Sequence, residues 1–245
     1  MKHPFPYRPL LLAAFAWTAA APAMAAGYIT LPSTFGGDVL TACNPTNDPA
    51  GTDCLVTSLP GESGYAIVAS RSAPVIINDV TIGTLSEKVW RLASDPTQFI
   101  FGVQVQVNAE VWDSSGLSFN VNDIFRRTLP KQAVAIAYYW GDATKALLQS
   151  GRTSKGLNEY TNPQPRLAPT WADFRVDVNA ADPDGMSSPN SPWLLVKTRA
   201  PLGAALNSFG IRLLNSDVED VTQAVDLYTS GYQPRGVPSG DGGGN

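Results

Sequence analysis

Five residues at every second position of the stretch 99–112 (FIFGVQVQVNAEVW) could do recognition chemistry: Gln104, Gln106, Asn108, Glu110 and Trp112. Amides and a carboxylate offer paired donors and acceptors, and an indole face stacks on the C–H patches of a sugar ring. Residues two apart on one face of a strand sit about 7 Å from each other, close to the repeat of hydroxyls along a glycan. The row is the candidate ligand-binding set. An antiparallel strand also shows water a polar face of this kind with no ligand in mind.

Acidic residues supply the other candidates. Asp177, Asn179, Asp182 and Asp184 crowd oxygen ligands into a short loop ending at Gly185, which suits calcium. Their spacing departs from the EF-hand loop, and Asp182-Pro183-Asp184-Gly185 is also an ordinary turn sequence. For catalysis, a carboxylate pair of the glycoside-hydrolase kind would draw on Glu110 and Glu159. Ser154 and Lys155 are adjacent, which is poor geometry for a Ser-Lys pair. Cys43 and Cys54 close a loop rich in Asn, Asp and Pro and read as a disulfide, worth roughly 3 kcal/mol by the loop-entropy argument.

Several chemistries are excluded by what is missing. The first 25 residues read as a signal peptide: Lys2 and Arg8, an apolar run from Leu10 to Trp17, and Ala23-Met24-Ala25 as a cleavage site. Export to the periplasm or beyond the cell is the expectation. The single histidine, His3, leaves with that peptide, so neither a Ser-His-Asp triad nor an imidazole zinc site is available afterwards. Cleavage removes two of 17 basic side chains and none of the 21 acidic ones, moving the formal charge from −4 to −6. Such a balance argues against nucleic acid as a partner. No apolar run is long enough for a membrane-spanning helix.

The elements that must position these residues are strands. Phe99, Phe101, Val103, Val105, Val107, Ala109 and Val111 alternate with the polar row, which predicts one long strand, one side dry and one wet. At about 43 Å it is long enough to need a bend, expected near Gly102. Residues 65–70, 75–82 (with a tight turn at Asn78-Asp79), 87–92, 133–140, 192–199 and 209–214 read as further strands, 133–140 as one buried on both faces. In residues 171–178, Ala172, Phe174, Val176 and Val178 fall on one side; Trp171, Asp173, Arg175 and Asp177 fall on the other. Asp113 to Gly116 reads as a hairpin turn. Short helices are expected at 124–128, capped by Asn122 or Asp123, and at 143–150 behind Asp142. Ser216 and Glu219 have capping-box spacing, and 221–228 is assigned as a closing strand. Residues 151–170 read as a long loop, and the tail 236–245 as mobile. Tyr138, Tyr139, Trp140, Trp171 and Trp193 are read as core fillers or pocket lining.

Together these predict an all-β chain: a single domain over 26–235, built as a two-sheet antiparallel sandwich, jelly-roll-like or Ig-like, with two or three short connecting helices. An outer-membrane barrel shares the alternation, but the prolines and uneven strand lengths weigh against it. The functional expectation is an exported, non-enzymatic binding protein with an extracellular glycan as ligand and no cofactor beyond possible calcium. A structural or adhesive surface protein is the first alternative, and a carboxylate-dependent glycoside hydrolase the second.

Overall fold

The computed structural model describes residues 27–32, 40, 54–141, 149–156, 159, 167–181, 187–216 and 224–236. The signal peptide and its cleavage site, Cys43, residues 143–148 of the expected helix, Asp182, Asp184, Glu219 and the tail beyond Gly236 lie outside them. The strands, in chain order, are β1 (Ile29–Thr30), β2 (Tyr65–Ile77), β3 (Val80–Leu92), β4 (Gln98–Val107), β5 (Val121–Arg127), β6 (Val134–Tyr139), β7 (Ser150–Gly151), β8 (Trp171–Val178), β9 (Trp193–Arg199), β10 (Ala204–Asn215) and β11 (Val225–Pro234). Sheet A has the order β1-β6-β9-β4-β3-β2 and sheet B the order β11-β10-β5-β8-β7, every named pair antiparallel. The two sheets pack face to face as a sandwich, and no helix occurs among the described residues.

Alternation decides what lies between the sheets. Phe99, Phe101, Val103, Val105 and Val107 of β4 join Ala172, Phe174, Val176 and Val178 of β8 in one core, with Ile211 and Leu213 of β10. Each fully buried Phe or Leu contributes on the order of 2–3 kcal/mol. Strand β6 is fully buried on its core side, where Val134, Ile136 and Tyr138 point inward; on the outside of sheet A Ala137 joins a second, smaller cluster, while Ala135 and Tyr139 are only partly buried. Tyr138 and Trp140 share the core face, rings 4.9 Å apart, and Tyr139 faces away. Trp193 belongs to the small outer cluster and Trp171 to a patch on the outside of sheet B.

Four expectations need correction. The long central strand ends at Val107, not Trp112. The Asn108 amide donates to the Thr81 carbonyl and its Oδ1 accepts from Glu110 N–H, so the chain turns there. Gly102 carries no bend, because β4 pairs without interruption with both neighbours through it. Its missing side chain makes room for the Trp90 indole, which a Cβ would meet at 2.8 Å. Ile100, expected on the wet side, is fully buried with Trp90, Trp193 and Leu195. Finally, the helix expected at 124–128 is β5, a central strand of sheet B.

The turns follow their residue chemistry. Asn78 and Asp79 both have positive φ (50° and 63°) and join β2 to β3 as a tight hairpin, so the expected strand 75–82 is two strands. Asp113 Oδ1 accepts from the Ser115 amide, and Gly116 takes φ 81°, giving the expected turn. The closing strand is present as β11.

Candidate functional site

The polar row of 104–112 is not one surface. Gln104 and Gln106 project from β4 on the outer side of sheet A; Gln106 is exposed, and Gln104 Nε2 donates to the Ser191 carbonyl at 3.1 Å. Asn108 and Glu110 sit beyond the strand end, so Glu110 is an exposed loop residue rather than a strand-held one. Trp112 packs edge-on to Phe119 at 5.6 Å and leans on the core, which leaves it unsuited as a stacking platform.

Register supplies new neighbours for the two glutamines. Ser86 lies opposite Gln104 and Ser72 opposite Ser86; Thr84 and Asn190 flank Gln106. Strands lie about 4.8 Å apart, so these residues form two short rows of hydroxyls and amides across the sheet. Ser72, Thr84 and Gln106 are exposed and Ser86 and Gln104 partly so. Lys88 follows on β3, its ammonium 4.9 Å from the Trp193 ring. The face can donate and accept hydrogen bonds along an extended ligand.

The outer side of sheet B is built differently. Asp123 on β5, Asp173 and Arg175 on β8, and Arg212 on β10 are all buried there. The described part of residues 151–170 lies over this face: Gly156 packs against Asp123 and Leu214, and Arg212 donates to Ser154 O and Glu159 Oε1, both at 2.8 Å. Glu159 also accepts from Gly156 N–H at 2.7 Å, so this nominated catalytic acid is committed to holding the cover. Nothing places Glu110 beside it.

Arg175 Nε lies 3.7 Å from Asp123 and 3.9 Å from Asp173. Burial, and then the neighbouring Asp123 carboxylate, push Asp173 well above the usual carboxylate range, against the pull of Arg175 and Arg212. Neither Asp173 oxygen meets a protein donor. Both carboxyls are fully buried.

A third charged group sits inside the sandwich. Glu87 of β3 and Arg126 of β5 meet across the two sheets at 2.8 Å, both side chains fully buried. Arg71 adds a second bond to Glu87 at 2.6 Å, and Tyr232 N–H a third at 3.0 Å. Arg126 also donates to the Tyr232 carbonyl at 2.8 Å. The Glu87 carboxylate thus has the donors a buried charge requires, while Arg126 Nε meets no protein acceptor. Sequence reasoning passed over this pair; the only signal was a Glu on the apolar side of β3.

For the calcium set, Asp177 is partly buried at the end of β8, and Asn179 Oδ1 already accepts from Ala181 N–H at 2.9 Å. Among the described residues no group of three acidic, His or Cys side chains is placed to hold a metal. Cys54 is buried, and its carbonyl accepts from Tyr138 N–H. The chain matches no protein-family model, no curated protein and no solved structure.

Proposed function

We propose that the chain is an exported, non-enzymatic β-sandwich that binds an extracellular glycan on the outer face of sheet A. One observation carries the reading: Ser72, Ser86 and Gln104, with Thr84, Gln106 and Asn190, stand in register at one end of the outer face, where each is exposed or partly exposed. Neutral hydroxyl and amide groups at strand spacing suit a sugar polymer. Support for export comes from the sequence of residues 1–25, and support for a non-enzymatic role from Glu159 being tied to Arg212.

Affinity electrophoresis in gels containing dextran, xylan or cellulose derivatives tests the binding. The expected result is retardation by at least one neutral glycan, relieved in the Gln104→Ala/Gln106→Ala double variant while that variant stays folded at the temperature of the gel. Retardation unchanged in that variant sinks the assignment to this face.

The structural or adhesive alternative has its own support in β2, a sheet-edge strand of 13 residues with Ile67, Val68 and Ile76 exposed. Reversible self-association in sedimentation velocity, abolished by charged substitutions at these positions, would favour it over glycan binding.

A further inference from the structure

Three arginines line the outer side of sheet B, and they differ in partners. Arg175 faces Asp123 and Asp173, and Arg212 is paired with Glu159 and Asp226. Arg127, at the end of β5, has no carboxylate within salt-bridge distance among the described residues. Its guanidinium lies 4.1 Å over the Trp171 ring, which holds the planar fork in place and leaves its N–H edge for a ligand.

Beside it opens a groove of about 350 Å³, within the size range of small-ligand clefts, lined by Arg127, Thr170, Asn207, Phe209 and Gln233 among others. Phe209 is 58% exposed, unusual for so large an apolar side chain, and it meets the Tyr228 ring edge-on at 5.9 Å. A bulge puts it there. The β10–β11 register breaks between Asn207 and Ile211, Asn207 Oδ1 accepts from Phe209 N–H, and Gly210 lies against the Gly231 backbone too closely for any side chain. Bulges re-aim side chains in this way beside binding sites.

Among the described residues the groove thus presents a guanidinium with no carboxylate partner, an exposed aromatic face and two amides, and no carboxylate lines it. In a chain of net charge −4, a purely cationic groove selects an anion. The planar fork matches a carboxylate in two parallel hydrogen bonds, and Phe209 matches the apolar face of a pyranose. We propose that this groove binds a uronic-acid residue of an acidic glycan. The proposal rests on the glycan reading above and adds a second site, on the opposite sheet, with a different ligand class.

The test compares retardation by polygalacturonate, dextran and dextran sulfate for the full chain and three variants. Retardation by polygalacturonate should fall about tenfold in Arg127→Gln and nearly as far in Arg127→Lys, which keeps the charge and loses the fork. Phe209→Ala should weaken it severalfold, with melting temperatures held. Loss in Arg127→Gln with full retention in Gln104→Ala/Gln106→Ala supports the groove, whatever dextran does. Polygalacturonate retarding no more than dextran overturns the groove and leaves the sheet A reading standing. Dextran sulfate retarding more strongly than polygalacturonate, with Arg127→Lys unchanged, also overturns it, because charge alone would then suffice. No retardation by any of the three overturns the groove, and the xylan and cellulose gels then decide the sheet A reading.

Discussion

Sheet A and sheet B bury their inner faces by the same alternation, yet their outer faces differ in almost every respect. On sheet A the outward positions of β2, β3 and β4 carry Ser72, Ser86, Thr84, Gln104 and Gln106, and they remain in contact with water. On sheet B the outward positions of β5, β8 and β10 carry Asp123, Phe125, Asp173, Arg175 and Arg212, and they are covered. Uncharged polar groups lose little by staying wet, so nothing drives a loop onto them. The charged set is held differently: once Ser154, Gly156 and Glu159 supply partners, the cover and the charges stabilise each other. Period two tells which side chains face the core. It does not tell whether the opposite side faces solvent.

The largest effect should come from removing the cation that balances the covered face. Arg175→Ala leaves Asp123 and Asp173 without their nearest counter-charge and frees Gln149 Oε1, which Arg175 holds at 2.9 Å. Breaking a buried ionic group from one side costs about 3–5 kcal/mol. Urea unfolding should show a loss of that order, and adding Asp173→Asn should restore part of it. A loss below about 1 kcal/mol would mean that water already reaches the pair, and the contrast between the faces would dissolve.

The two faces were also unequally legible. In β8, Ala172, Phe174, Val176 and Val178 alternate with charged residues, and the core side could be read directly. In β5, the run Val121-Asn-Asp-Ile-Phe-Arg-Arg127 looks like a capped helix because Asp123, Arg126 and Arg127 break the apolar pattern. Their partners are remote: Arg126 answers Glu87, 39 residues away, and Asp123 answers β8 and the covering segment. Tertiary pairing overrides local preference there. Past Val107 the opposite failure occurs. The alternation runs on in sequence through Val111, yet the chain has already turned, and Val111 is 46% exposed. The Arg127–Phe209 groove left no mark in the sequence, since it depends on a bulge that brings two distant strand ends together.

A second way to sharpen the comparison is pH. The folded state holds the Asp173 proton more tightly than the unfolded chain, whose Asp titrates near pH 3.9. Stability from that proton is complete below the unfolded value and drains as pH rises through the higher folded one. Asp123, Arg175, Arg212 and Glu159 are the charged groups facing this region, and the two cations limit the drain without cancelling it. Chemical denaturation from about pH 4 upward should therefore show a falling contribution that Asp173→Asn removes. Identical slopes in the two proteins would mean that the fold does not raise the Asp173 carboxyl.

The smallest expected effect is on sheet A, and its smallness is the point. Thr84→Ala and Gln106→Ala remove exposed side chains at the polar end of the outer face, so each should change stability by no more than about 0.5 kcal/mol. Gln104→Ala also forfeits its bond to the Ser191 carbonyl, a part-buried acceptor, and should cost about 0.5–1.5 kcal/mol. A loss of several kcal/mol at Thr84 or Gln106 would place those side chains under a cover of their own. Sheet A would then resemble sheet B, and its hydroxyl rows would be packing surface instead of a place for a ligand.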